Sequence, residues 1–523
     1  MSNPGTRLRS ASDRVVSIAL AVLLIGSVLG FGGAAWWSPG AIAVLASTLV
    51  LARVAGLWGS GRWPLLRSPL AGLGVLAVGL AAFQSAPMPA RVGEAVSPRG
   101  REARSLGVLA DLARSDDPDV SPPVLFPGPS PLTIDRPATL RWAMGALACL
   151  SVFWVVSHHA DRLGRLYLVW GSVLAAFLLN TAIIGVGLIG QVDGLYGFVE
   201  PGKGPAWAPT LADTLAGPGM SSPRSLATPP GRPTPHAWAL AEPDRTPLLG
   251  TMLGGPGAYL ALGSLGLPLA LAVTLQLMAP RGSRQGLWSR LGESGQGSLL
   301  VFLYGTTVAS AGLIGVMAGP VPAIPFAGAV VLIGATSLVG TGLGGKGVAL
   351  TGLTLAAMGA GVALGESWAE AFPTASPPPR IDLAACRDSW STAARVARDF
   401  PVVGVGLGAY PAIEPYSKSR DASSSTAMSS VLQWWAEAGS VGVGLVAAGL
   451  AWIGFRLPRA IRRVGSADRA LAAGMVGAVA CFGAFSAIHW TVELPAMALA
   501  AAAVAGTCNR WLAGGTDLLA GQG

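Results

Sequence analysis

Charge is what this sequence has least of. Asp, Glu, Lys and Arg make up 12% of its 523 residues, about half the share of an ordinary globular chain, while 52% of the residues are hydrophobic and mean hydropathy is +0.56. A water-soluble fold would have too little charged surface to cover that much apolar material, which argues against a large buried α/β core. Cysteine is scarce too. Cys149, Cys481 and Cys508 lie in or at the end of apolar stretches and Cys386 in a polar loop, a pattern that indicates neither a disulfide framework nor a zinc cluster. The four histidines, His158, His159, His236 and His489, lack the spacing of a metal-ligand pair, so no metal is expected. The net charge of +9 comes from scattered residues with no dense basic stripe, which gives nucleic acid no footprint. No repeat relates the two halves and few charges fall inside the apolar runs, which places a transporter last among the readings.

What the sequence has is long apolar runs. A spanning helix needs about 20 mostly apolar residues, and about twelve segments qualify, near 15–35, 40–57, 68–84, 139–157, 166–189, 257–279, 298–318, 322–340, 347–365, 438–454, 470–489 and 492–508. The expected fold is therefore all-α, a polytopic membrane helical bundle forming a single domain over 1–508 with a tail at 509–523. Arg7, Arg9 and Arg14 precede the first run and no small-residue cleavage site follows it, so it reads as a retained helix. Gly, at 72 residues, is expected to allow close helix packing in lipid.

Charge placement orients the bundle. Arg53, Arg62 and Arg67, then Arg162 and Arg165, then Arg281, Arg284 and Arg290, Lys346, the group Arg456, Arg459, Arg462, Arg463 and Arg469, and Arg510 all fall on the side of the N-terminus. The positive-inside rule makes that side cytoplasmic, with both termini inside. Three long loops, 85–138, 190–256 and 366–437, then lie outside, each mixing acids and bases. A short helix is expected near 100–114 in the first. The third is the most ordered, because Leu383 to Phe400 has helical periodicity, a break follows at Pro401, and helical character resumes near Met428. Long loops on one face of a helical scaffold are where chemistry is expected.

Candidate residues concentrate there. Gly404, Gly406 and Gly408 lack the strand and helix context of a phosphate loop and read as a tight turn lining a site. His489 and Glu493 read either as a pair fastening the last hairpin or as polar groups facing a cavity. Glu437 is either a helix-registering acid or part of a cavity wall. Arg245, Arg387, Arg395 and Arg398 have the forked donors suited to a diphosphate. Trp434 and Trp435 look like interface anchors first and sugar-stacking platforms second.

The stretches DFPVVGVGLGAY and MSSVLQWWAEAGSVGVG resemble the O-antigen ligase and polymerase family of bacterial membrane glycosyltransferases. So does ACRDSW, where Arg387 and Trp390 match the Arg and Trp of a loop helix. QVDGLYGF from Gln191, RTPLLGTMLGGPGAYLALG from Arg245 and HWTVELPA from His489 are similar to three further family segments, and together the matches are spread over about 60% of the chain. The resemblance implies an enzyme of the bacterial inner membrane with its long loops periplasmic. It would move a glycan from an undecaprenyl-diphosphate carrier to a glycan, lipid or protein acceptor, with no cofactor or metal. Arginines, here Arg245, Arg387 and Arg398, would hold the diphosphate, and Trp390, Trp434 and Trp435 would face glycan or interface. The family's loop histidine falls on Met428 and its following asparagine on Ser429; Gly255 and Gly257 stand near other expected asparagines. Methionine cannot act as a base, so His489, Glu437 or His236 would substitute, or the chain would bind lipid-linked glycan or scaffold an export complex without turnover.

Overall fold

Segments with few charges and no run of backbone breakers fold as helices here, because in an apolar solvent every backbone N–H and C=O must be paired within its own segment. The computed structural model describes residues 4–30, 38–60, 68–97, 99–100, 129–190, 255–278, 296–338, 344–371, 380–381, 383–417, 426–464 and 469–513. Helix α1 spans Pro4–Leu29, α2 Ser38–Ser60 and α3 Pro69–Ser85. The two-residue strands β1 (Pro87–Met88) and β2 (Ser130–Pro131) pair antiparallel, with α4 (Ala90–Val96) between them in sequence. The bundle continues with α5 (Arg136–His159), α6 (Leu163–Gly190), α7 (Gly255–Met278), α8 (Gln296–Ala318), α9 (Pro320–Leu338) and α10 (Gly344–Glu366). After the single turn α11 (Trp368–Ala371) come α12 (Leu383–Asp399) and α13 (Tyr410–Ser417), then α14 (Ser430–Arg463), α15 (Arg469–Ile488) and α16 (Pro495–Leu512).

Among the described residues, nine helices are long and apolar enough to cross a membrane, and two shorter apolar helices lie at Pro69–Ser85 and Pro320–Thr336. This is a multi-pass, all-helical membrane protein. Helix α7 occupies its centre: residues 257–272 are all buried, whereas Val441, Val443, Val446 and Leu450 of α14 are exposed and face lipid. Helix α1 packs on α2, α8 on α10, α5 on α16, and α15 on both α7 and α9. Small residues set the closest of these contacts. A Cβ at Gly315 would lie 2.1 Å from the Met358 carbonyl oxygen and one at Gly361 2.0 Å from that of Gly312, so α8 and α10 touch backbone to backbone, the close packing expected of glycine in lipid.

Two faces differ in kind. On one, here the loop face, α12, α13 and the β1–β2 pair form a cap with its own apolar core, in which Ala393, Val396, Phe400, Val405, Tyr410 and Ala436 pack together. Arg380, just before α12, donates from Nε to the Val316 carbonyl (2.9 Å) and from a terminal nitrogen to that of Val362 (3.2 Å), so one side chain ties the loop-face ends of α8 and α10 and satisfies the Val316 carbonyl, left free at the end of its helix. On the opposite face, charged groups tie four helices together. Arg165 of α6 bonds Asp13 of α1 (2.5 Å) and Asp161 (2.7 Å), and Arg53 of α2 reaches Asp13 (3.4 Å) and the His158 carbonyl of α5 (3.0 Å). His159 lies 3.7 Å from Asp13 through Nδ1 and 3.1 Å from the Ser17 hydroxyl through Nε2. Ser68 and Asn509 are bonded on this face too, at 2.9 Å.

The loop expectations resolve unevenly. The helix predicted over Leu383 to Phe400 is present as α12, and the break at Pro401 follows it. Helical character resumes at Ser430, close to the expected Met428, and a kink at Gly439 separates this first stretch from the apolar span expected over 438–454. The short helix expected near 100–114 and almost all of loop 190–256 lie outside the described residues.

Candidate functional site

The site begins with a turn. Pro401 ends α12 because its ring removes a backbone donor and clashes with the preceding turn. The chain then passes through Gly404, Gly406 and Gly408 with φ of 72°, 111° and 76°, a conformation that costs side-chain-bearing residues about 1–2 kcal/mol each. The turn is bonded directly to α14: Val405 N–H donates to the Ala436 carbonyl (3.0 Å), Gly406 N–H to that of Glu437 (3.1 Å), Ser440 N–H to that of Pro401 (2.8 Å) and Val441 N–H to that of Val402 (3.2 Å). Gly404 and Gly439 meet across this junction. A Cβ on Gly404 would lie 2.2 Å from the Glu437 carbonyl carbon, and one on Gly439 2.3 Å from the Val402 oxygen.

Two polar side chains complete the turn. The Glu437 carboxylate accepts from Gly408 N–H (2.8 Å), Tyr410 N–H (3.3 Å) and the Gln433 amide (3.1 Å), so both its oxygens are engaged with the turn and its own helix. Gln84, at the end of α3, donates to the Val403 and Glu437 carbonyls (2.6 and 2.9 Å) and accepts from Leu407 N–H (3.0 Å). Of the two roles open to Glu437, this geometry is that of an anchor. Gln84 was not singled out in the sequence; its only signal was an amide closing an otherwise apolar run.

The second half of the site is built where Met428 leads into α14. Met428 is the only residue other than glycine with positive φ among those described, at 51°. Its carbonyl accepts from the Trp390 indole N–H of α12 (2.8 Å). Ser429 caps α14, its hydroxyl accepting from Leu432 N–H (3.3 Å) and donating to the Ala487 carbonyl (2.8 Å) at the end of α15. Ser430 N–H faces the His489 carbonyl at 3.4 Å. The segment carrying Met428 is thus fastened side by side to the turn carrying His489.

That turn is polar and enclosed. The Ser430 hydroxyl donates to Glu493 (2.6 Å) and accepts from Thr491 N–H (2.8 Å); Thr491 N–H also reaches Glu493 (2.9 Å), and the Thr491 and Ser486 hydroxyls are 2.5 Å apart. Glu493 therefore fastens the hairpin to α14, and His489 is not its hydrogen-bond partner. His489 is stacked between Phe485 and Trp490, with centroids 5.7 and 5.8 Å away. Its Nδ1 lies 3.1 Å from the Trp490 carbonyl, a hydrogen bond only if Nδ1 carries the proton, which leaves the Nε2 lone pair available. Burial pulls its pKa down to about 4, so the ring is neutral near pH 7. Gly257 of α7 makes room for it: a Cβ there would lie 2.1 Å from His489 Cε1.

The remaining candidates divide. Arg387, Arg395 and Arg398 are on α12 and exposed, with Arg387 one turn from Trp390; Arg99 pairs with Asp399 at the end of the same helix. Trp434 packs against Trp142 at 5.6 Å and Trp435 against the cap core, so both join the cap to α14. Arg245 and His236 lie outside the described residues, and no cluster of metal-ligating side chains occurs among those described. No family model, curated protein or solved structure matches the chain.

Proposed function

We propose that this protein is a membrane glycosyltransferase that transfers or polymerises glycans from an undecaprenyl-diphosphate donor at the outer leaflet of a bacterial inner membrane, for cell-surface polysaccharide. In this reading twelve helices, α1 to α3, α5 to α10 and α14 to α16, cross the bilayer, both termini are cytoplasmic and the loop face is periplasmic. The observation that carries the proposal is the direct fastening of the Met428 segment to the His489 turn. Segments far apart in sequence, each singled out by the resemblance, meet at one place, and an imidazole lies beside the position that lacks one.

The chemistry follows from the residues. His489 Nε2 takes the proton of an acceptor hydroxyl as its oxygen attacks the anomeric carbon of the donor sugar, and the bond from that carbon to the diphosphate oxygen breaks. Undecaprenyl diphosphate leaves with the bonding electrons, and the guanidinium groups of Arg387, Arg398 and Arg245 meet its charge. Glu437 and Gln84 hold the turn in place, and Trp390 sets the segment before α14.

Purified protein in detergent, supplied with undecaprenyl-diphosphate oligosaccharide and acceptor membranes, is expected to release undecaprenyl diphosphate. Arg387→Ala and His489→Gln should each abolish most of that release while leaving the unfolding temperature within a few degrees. A second reading, a module that binds lipid-linked glycan without turnover, is favoured by Met428 itself. Donor binding with no release, unchanged by His489→Gln, would select it, and no binding of the donor at all would sink both.

A further inference from the structure

From the kink at Gly439, α14 runs 24 residues to Arg463, about 36 Å at 1.5 Å per residue. A hydrocarbon layer of about 30 Å that starts at the kink ends near Arg459. The first charged side chains after Glu437 are Arg456, Arg459, Arg462 and Arg463, all exposed. At 100° per residue they share an arc of about 120° with Trp452 and Phe455. Ala460 and Val464, about 40° and 80° past the Arg456 edge of that arc, are buried in the bundle core, while the four arginines are exposed, so the arginine face is turned away from the protein at headgroup depth.

Two of its guanidinium groups lie against rings of their own helix. Arg459 sits 4.1 Å over the Phe455 ring and donates to the Phe455 carbonyl (3.1 Å), and Arg456 lies 6.0 Å from the Trp452 ring. None of the four belongs to an ion pair among the described residues. Four planar donors, two of them beside aromatic rings and none in an ion pair among the described residues, fit phosphate-centred anions in a bilayer surface.

We infer that this end of α14 is a binding site for anionic phospholipid headgroups, such as those of phosphatidylglycerol or cardiolipin. The site is independent of the glycan-transfer proposal, since it lies on the opposite face and needs only a bilayer around the helix.

Native mass spectrometry of the full chain released from mixed micelles tests it. Phosphatidylglycerol should be retained in preference to phosphatidylcholine, and R456Q/R459Q/R463Q should reduce the preference at least about tenfold. R9Q/R14Q, which removes two exposed arginines of α1, should leave it intact. Equal retention of the two lipids by the unaltered protein would overturn the inference without recourse to any variant. So would an equal loss in R9Q/R14Q, which would make the effect one of overall charge. Saturation of the site by inorganic phosphate, seen as loss of phosphatidylglycerol at millimolar phosphate, would assign it to a soluble anion instead.

Discussion

His489 and Met428 are two residues whose environments run against their side chains. For His489 the consequence is a stability that depends on pH. Above about pH 6.5 the imidazole is neutral in folded and unfolded chain alike; between 6.5 and about 4 the unfolded chain takes up a proton that the buried ring refuses. Stability should therefore fall as pH drops through that window and level off below it. Glu493, whose pKa burial raises above the usual 4.5, works in the opposite sense, so the difference between the unaltered protein and His489→Gln isolates the imidazole. Thermal unfolding in detergent from pH 7.5 to 4 should show a shallower decline for the variant, and parallel curves would discard the assignment of a neutral buried ring. Met428 holds a backbone conformation that histidine and asparagine accept more readily than methionine. Met428→His should fold at least as well, and if the transfer reaction is right, it should raise turnover by about a hundredfold. At this scale the sequence was informative about which residues matter and silent about how they pair. His489, Glu437 and Met428 could be picked out by type and position, but the hydrogen bonds that join Ser430 to Glu493 and to Thr491 link residues 63 and 61 positions apart, a separation no local pattern encodes.

Among the elements, the glycine turn carries the sharpest expectation. Gly404→Ala and Gly439→Ala each demand a strained backbone and push a methyl into a neighbouring carbonyl, so either should cost several times the roughly 1 kcal/mol that a helical glycine is worth. Gly444→Ala, with open space around it, should be neutral or slightly stabilising, and a similar drop in unfolding temperature for all three would refute the close backbone contact. Trp390→Phe keeps an aromatic ring, a smaller one, and deletes the donor to the Met428 carbonyl; a loss of at least about 1 kcal/mol is expected, measured by urea or thermal unfolding. Helix α12 was legible because alternating apolar and charged residues at helical spacing report a half-buried helix in water. The kink at Gly439 was not, because it is set by the turn that packs on it, and the positive φ of a single glycine leaves no periodic trace.

For the whole molecule, hydropathy was sufficient to recover the class, since a bilayer demands long apolar helices. The apolar runs coincide with helices from α1 to α16, and the charges expected on one side include Arg53 and Arg165, which do lie together on the face opposite the cap. Composition gave no hint that these charges join Asp13 and Asp161 in one enclosed cluster, because ion pairing across four helices depends on packing alone. Arg53→Ala should destabilise the bundle by about 3 kcal/mol, through an acid left short of a partner. Its unfolding temperature should fall well below that of an exposed control such as Arg14→Ala, and equal shifts would mark the cluster as solvated. The junction of Gly404 with Gly439 reaches furthest at this scale. Four backbone hydrogen bonds weld the cap to α14, so the cap has no hinge of its own and cannot swing like a flap. Whatever gains entry beneath it comes in sideways between helices, or waits for α14 and its roof to tilt together as one lever.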